Sequence, residues 1–182
     1  VLGGQTDDCS MMAYGFNADI CAQNPFFGAF SSVVSSVGKL VAAGAPLKTE
    51  GENCWLSLQE FFPSPRKDPE RWALPFCALL GALKAQVSLG FAAIGGKDSM
   101  SGSFENIDVP PTLISFAVSE TTADRVISCE FKGANHPIYL IAPQAGSDLT
   151  ESVPATFTKV EKLIGEKKIL SAYSLTDCCA AE

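Results

Sequence analysis

The 182-residue sequence predicts an α/β fold of the α+β type, with helices packed on a mainly antiparallel or mixed sheet. Three observations predict it. The elements read off in order as strand, helix, strand, helix, strand, strand, and two long stretches repeat apolar residues at three- and four-residue steps. The chain is also 47% apolar and 18% charged, which argues against disorder. At this length about 70% of the unfolded surface can be buried, so a sizeable core fits.

Residues 10–17 are apolar and aromatic enough for a short strand, and the polar stretch 18–24 reads as a loop. A helix follows. Asn24 is its cap, Pro25 suits the first helical position, and Phe26, Phe30, Val33, Val37, Leu40 and Val41 recur on one face, with Gly44 as the left-handed stop. The other face carries small residues (Ser32, Ser35, Ser36, Gly38, Ala42, Ala43), which permit close approach of a second element or of a ligand.

Residues 54–59 read as a strand with Cys54, Leu56 and Leu58 on its buried face, ended by the Pro-rich connection 62–69. The second helix starts with Asp68 as cap and Pro69 as first residue, kinks or restarts at Pro75, and runs through Phe76, Leu79, Leu80, Leu83 and Val87 to Gly90. Residues 91–94 form a short buried strand and 112–119 a longer one with alternating Ile114, Phe116 and Val118. A composition shift near residue 122 marks a boundary. Beyond it come a continuous apolar strand at 138–142, a helix over 154–166 and a strand at 169–174. Two strands in about 60 residues cannot easily close a core of their own.

Thirteen Lys plus Arg against twenty Asp plus Glu gives a net charge of -7, which excludes a nucleic-acid binder of the usual basic kind. The longest uncharged run, 20–38, is interrupted by Gln23, Asn24, Pro25 and four serines, so it is not an apolar membrane span. The first eight residues have neither a basic n-region nor an apolar h-region, so no signal peptide is expected, and the missing initiator Met suggests an excised fragment. Seven scattered cysteines, with Cys178 and Cys179 adjacent, form no disulfide framework; with no CxxC and a single histidine, His136, they predict reduced thiols and a cytoplasmic protein.

The sharpest local feature is the loop 95–102, Gly-Gly-Lys-Asp-Ser-Met-Ser-Gly. Gly95 and Gly96 let backbone N–H groups approach an anion, Lys97 offers a positive charge, and Ser99 and Ser101 offer hydroxyls. Two readings stand: a phosphate cradle, or a polar hairpin whose glycines only supply turn dihedrals. A P-loop is excluded by spacing, since Phe91 and Asp98 occupy the positions that Gly and Ser or Thr would need, and no GxGxxG is present. Asp7 and Asp8 are a paired-carboxylate candidate for Mg²⁺ or an acidic surface turn. His136 has no nearby acid or nucleophile in sequence, and the segment contains no complete catalytic set.

The run Asn24-Pro25-Phe26-Phe27-Gly28-Ala29, the helix ending Lys39-Leu40-Val41-Ala42-Ala43-Gly44-Ala45, the segment Leu56-Ser57-Leu58-Gln59-Glu60, the helix 78–86, the loop 95–102 and the strand 110–118 together resemble phosphoribosylformylglycinamidine synthase of the large single-chain type. The resemblance covers nearly all of residues 5–177. It implies the aminoimidazole ribonucleotide synthase superfamily, with 1–122 as the latter part of the second N-terminal-type domain and 123–182 as the beginning of the second C-terminal-type domain. It further implies an ATP-dependent ligase of purine synthesis, in which ATP activates the amide of formylglycinamide ribonucleotide and glutamine-derived ammonia displaces phosphate.

In that family the first domain pair supplies the principal site and the second an auxiliary nucleotide site. The resemblance therefore implies ATP or ADP as ligand of Gly95, Gly96, Lys97, Asp98, Ser99 and Thr176, with Asp8 as the remaining match to a Mg²⁺ ligand. Glu and Asn, expected one turn apart on the first helix, are Ser35 and Lys39 here, and a further Asp corresponds to Ser174. Loss of that charge predicts weak or absent Mg²⁺ binding. Implied partners are the remaining domains of the parent chain, including a glutamine amidotransferase domain, and a second copy of the fragment, drawn together by an exposed apolar edge or face. The alternatives are a non-catalytic scaffold and another enzyme of the superfamily, such as a selenophosphate synthetase-like or hydrogenase-maturation relative.

Overall fold

A computed structural model describes residues 4–47 and 54–175. Its centre is a four-stranded mixed sheet in the order β1-β6-β2-β3, built from β1 (Asp8–Gly15), β2 (Cys54–Phe61), β3 (Ala93–Ser99) and β6 (Thr112–Thr122). A two-residue hairpin, β4 (Ser103–Phe104) with β5 (Ile107–Asp108), stands beside it. β6 is antiparallel to both β1 and β2, whereas β2 and β3 run parallel. Hence β1, β2 and β3 all end at the same edge of the sheet. Helices α2 (Pro25–Ala42) and α3 (Pro69–Leu89) stack on one face.

α2 forms where its sequence pattern places it. The Asn24 side chain accepts from the Phe27 N–H at 3.1 Å, Pro25 opens the first turn, and Gly44 takes φ +100° just past the end, a conformation open to glycine without strain. Both of its faces are covered. Val33, Val37, Leu40 and Val41 are fully buried, each contributing about 1.5–3 kcal/mol of transfer free energy. The small-residue face packs as well: Ser36 Oγ lies 2.9 Å from Ser115 Oγ of β6, and Ser32 returns its hydroxyl to the Gly28 carbonyl. Of the two readings for that face, close packing is the one realised at Ser32 and Ser36.

Residues 18–24, expected as a loop, form the short helix α1 (Ala18–Gln23). Asn17 caps it by accepting from the Ile20 N–H at 2.8 Å, and buried Cys21 sits directly under Gly28, where a Cβ would overlap it. The strand expected at 10–17 runs two residues earlier, over β1. α3 passes Pro75 without interruption. Its inward residues are Pro75, Ala78, Gly81, Ala82 and Ala85, while Phe76, Leu79, Leu80, Leu83 and Val87 point away from the sheet. The cause is the approach distance: a Cβ at Gly81 would overlap the Phe26 carbonyl oxygen, so only small side chains fit between α2 and α3.

After the short turn Ala123–Arg125 the chain departs from expectation. Residues 138–142 and 169–174, expected as strands, have no strand partner, and Ile138, Tyr139 and Leu140 are exposed. An apolar run becomes a strand only where a neighbour completes its ladder, and none does so among the described residues. α4 (Leu149–Gly165) starts earlier than the expected 154 because Asp148 caps it through the Thr150 N–H at 2.9 Å. Phe157 and Val160 rest on the main core, Ser88 Oγ donates to the Thr150 carbonyl at 2.6 Å, and Arg125 pairs with Glu161 at 2.7 Å.

Candidate functional site

The segment 95–102 is a loop only in its second half. Residues 95–99 extend β3 rather than leaving a strand at 94, in parallel register Ser57↔Gly95, Leu58↔Gly96, Gln59↔Lys97, Glu60↔Asp98 and Phe61↔Ser99, after an irregularity at Ile94. This corrects the expected strand 91–94 and loop 95–102. The correction has a physical source: glycines weaken a strand in propensity, but at Gly96 the parallel neighbour comes so near that a Cβ would overlap the Leu58 carbonyl oxygen. Past Ser99 the chain turns, with Ser99 and Ser101 hydroxyls 3.4 Å apart and Gly102 N–H donating to the Phe62 carbonyl at 3.0 Å.

Strand alternation then distributes the chemistry. Asp98 lies on the same face as Leu58 and Glu60, and Lys97 on the opposite one. Leu58, Glu60, Gly96, Lys97 and Asp98 line an open cleft of about 200 Å³. Glu60, which the sequence did not single out, belongs to this site. Burial, and secondarily the Asp98 charge, raises its pKa above the ordinary value of 4.5. Lys97 donates to the Asp98 backbone carbonyl and remains exposed. The Arg71 guanidinium holds Asp108 of the neighbouring hairpin at 2.7 and 3.1 Å, fixing the hairpin that follows the turn.

A second cluster stands at the same sheet edge. Lys39 of α2 donates to the Tyr14 carbonyl at 2.9 Å and lies 4.5 Å over the Tyr14 ring. Its helix is drawn close by Gly15, where a Cβ would overlap the Ser32 carbonyl and approach Ser35. A Cβ at Gly38 would lie 3.3 Å from Ser174 Oγ and 3.2 Å from the Phe157 ring. The tertiary structure thus gathers Ser35, Lys39 and Ser174, the three positions that replace expected Mg²⁺ ligands. An ammonium and two hydroxyls do not fit a hard dication that needs carboxylate charge.

The row Gly15–Ser115–Leu58–Gly96 crosses the sheet, so the Lys39 and Lys97 clusters are separated by three strand spacings, about 14 Å. Asp8 is elsewhere. It pairs with Thr122 at the opposite end of β1, six residues and about 20 Å from Tyr14, and accepts from the Thr6 hydroxyl at 2.7 Å. Thr176 lies outside the described residues, as do Cys178 and Cys179. His136 is exposed. The five described cysteines, Cys9, Cys21, Cys54, Cys77 and Cys129, are unpaired, and burial pushes the Cys54 thiol up to about 12.

No family model matches the chain, and no curated protein matches it either. Solved structures do. Thermotoga maritima PurL complexed with FGAR matches with TM-score 0.66 and 16% identity over 89% of this chain and 24% of that one. Phosphoribosylformylglycinamidine synthase II from T. maritima matches with TM-score 0.59 and 18% identity, covering 69% of this chain and 20% of that one. T. maritima PurL complexed with ATP gives TM-score 0.58 and 19% identity over 69% and 20%. The chain spans a fifth to a quarter of the length of these structures. At such identities the likeness is one of fold, and the mixed sheet with α2 and α3 on one face is the PurL-like fold of the aminoimidazole ribonucleotide synthase type.

Proposed function

We propose that the chain is part of an ATP-using ligase of purine synthesis in the cytoplasm, phosphoribosylformylglycinamidine synthase of the large single-chain type. Residues 1–122 belong to an N-terminal-type domain and 123–182 open a C-terminal-type domain. The segment acts as a structural half that holds nucleotide phosphate through charge on its own side chains. Full turnover needs the remaining domains of the parent chain, including the glutamine amidotransferase domain.

One observation carries this reading: within a PurL-like fold, Lys39 and Lys97 both stand at the edge where three parallel strands end, and each donates to a backbone carbonyl rather than to a carboxylate. Ligands of open α/β sheets bind outside the carboxyl ends of their strands. At that edge Lys97, with the hydroxyls of Ser99 and Ser101, suits one anionic group, and Lys39, about 14 Å across the sheet, suits another. Lys39 also neutralises the place where the resemblance puts Mg²⁺ ligands, which supports nucleotide binding that does not depend on the metal.

Calorimetric titration of ADP into wild type and Lys97→Ala, with and without Mg²⁺, tests the reading. Wild type binds, Mg²⁺ changes little, and Lys97→Ala weakens affinity by about 1.5–3 kcal/mol, the size of a hydrogen bond to a charged group. Because Lys97 is exposed, its melting temperature stays near wild type. Strong Mg²⁺ dependence, or unchanged affinity with lowered stability in the variant, would sink the proposal. ATP-dependent amidation by the isolated chain with ammonia would overturn the structural-half assignment.

A further inference from the structure

The outward stripe of α3 is unusual in its symmetry. Trp72, Phe76, Leu79, Leu80, Leu83 and Val87 fall within an arc of about 100° on a helical projection, and Trp72, Phe76, Leu83 and Val87 are 52%, 60%, 50% and 74% exposed. No ionisable side chain interrupts it. Their numbers are symmetric about the Leu79–Leu80 bond, so that Trp72 matches Val87, Phe76 matches Leu83 and Leu79 matches Leu80. A stripe of that kind meets its own copy, run antiparallel, with every apolar residue facing an apolar residue.

We propose that the chain self-associates through α3, as an antiparallel helix pair about a twofold axis at Leu79–Leu80. Isologous contacts of this type close as dimers because the same patch serves both partners. The exposed parts of the six side chains amount to about 600 Å² per copy, and doubling that reaches the lower end of specific interfaces, about 1,200 Å². The stripe is about 22 Å long at 1.5 Å per residue, a length that two straight helices cover without bending. α3 is also long and apolar enough to cross a membrane by composition. A lipid surface is the weaker occupant, because the other face of α3 is packed on α2, the basic residue of α3 beside the stripe, among the described residues, is Lys84 alone, and the chain carries a net charge of -7. The inference is independent of the nucleotide reading, since the stripe lies on the face of α3 opposite the sheet.

Sedimentation equilibrium of the 182-residue chain across 1–100 micromolar, roughly the range in which a small interface dissociates, reads the association. Wild type forms a dimer, and Phe76→Lys or Leu83→Glu alone weakens it by about tenfold or more. The double variant Phe76→Lys/Leu83→Glu restores dimerisation, because only the antiparallel register places each new lysine opposite the partner's new glutamate. Met12→Lys, on the uncovered sheet face, leaves the dimer intact. All three sites are exposed, and circular dichroism melts confirm that each variant is folded. A monomer throughout, failure of the double variant to recover, or loss of the dimer in Met12→Lys would overturn the proposal. So would flotation of the wild type with neutral phosphatidylcholine vesicles that is lost in Leu83→Glu.

Discussion

Glu60 is the residue whose surroundings are most at odds with its charge. It sits beside Asp98 across a parallel strand pair, and burial together with that neighbour raises its pKa above 4.5. A folded-state pKa raised in an acid means that the native protein holds its proton to higher pH than the unfolded chain does. Stability therefore falls as pH rises above the ordinary glutamate value, where the unfolded state ionises first. Glu60→Gln removes this burden: melting temperature rises at pH 7, stays close to wild type at pH 4, and the decline between them flattens. An unchanged profile would show that Glu60 is solvated. The sequence held no signal for this residue, because its pairing with Asp98 depends on the register of two strands 38 residues apart.

At the scale of elements, α3 separates what patterning reveals from what packing selects. Phe76, Leu79, Leu80, Leu83 and Val87 mark it as a helix in the sequence, yet the face that builds the core is Pro75, Ala78, Gly81, Ala82 and Ala85. Helix propensity alone favours Gly81→Ala by about 1 kcal/mol. The structure reverses the sign. The new Cβ would overlap the Phe26 carbonyl, a backbone atom that moves only if α2 and α3 separate. Gly81→Ala should then cost about 1–3 kcal/mol, the range for overpacked cores, read from urea midpoints. A stabilised variant would mean that the helices are less tightly held than this. β6 repeats the lesson, since the alternation of Ile114, Phe116 and Val118 correctly marks a strand while Leu113, Ser115, Ala117 and Ser119 are the buried set.

For the whole molecule, the sheet with α2 and α3 is one packed unit, and the chain from about 126 to 148 runs over its outside without secondary structure. Limited trypsin digestion should cut first at Lys132, where backbone and side chains are exposed and no ladder must be broken. The two pieces should stay associated under native conditions through α4, which is tied to α3 by Ser88 and to the short turn after β6 by the Arg125–Glu161 pair. First cleavage at Lys84, or separation of the pieces, would contradict that arrangement. By itself the sequence determined α2 with its Asn24, Pro25 and Gly44 signals, the strand character of β2 and β6, and the α/β class, because caps, breakers and periodicity act within a few residues. Only the tertiary structure decided that residues 95–99 are a strand and 138–142 are not, which face of α3 is buried, and that Lys39 and Lys97 share an edge while Asp8 stands at the other. Each of these depends on a neighbour distant in the chain: a ladder exists only when its partner strand is present, and a face is buried only when another element comes close enough to cover it.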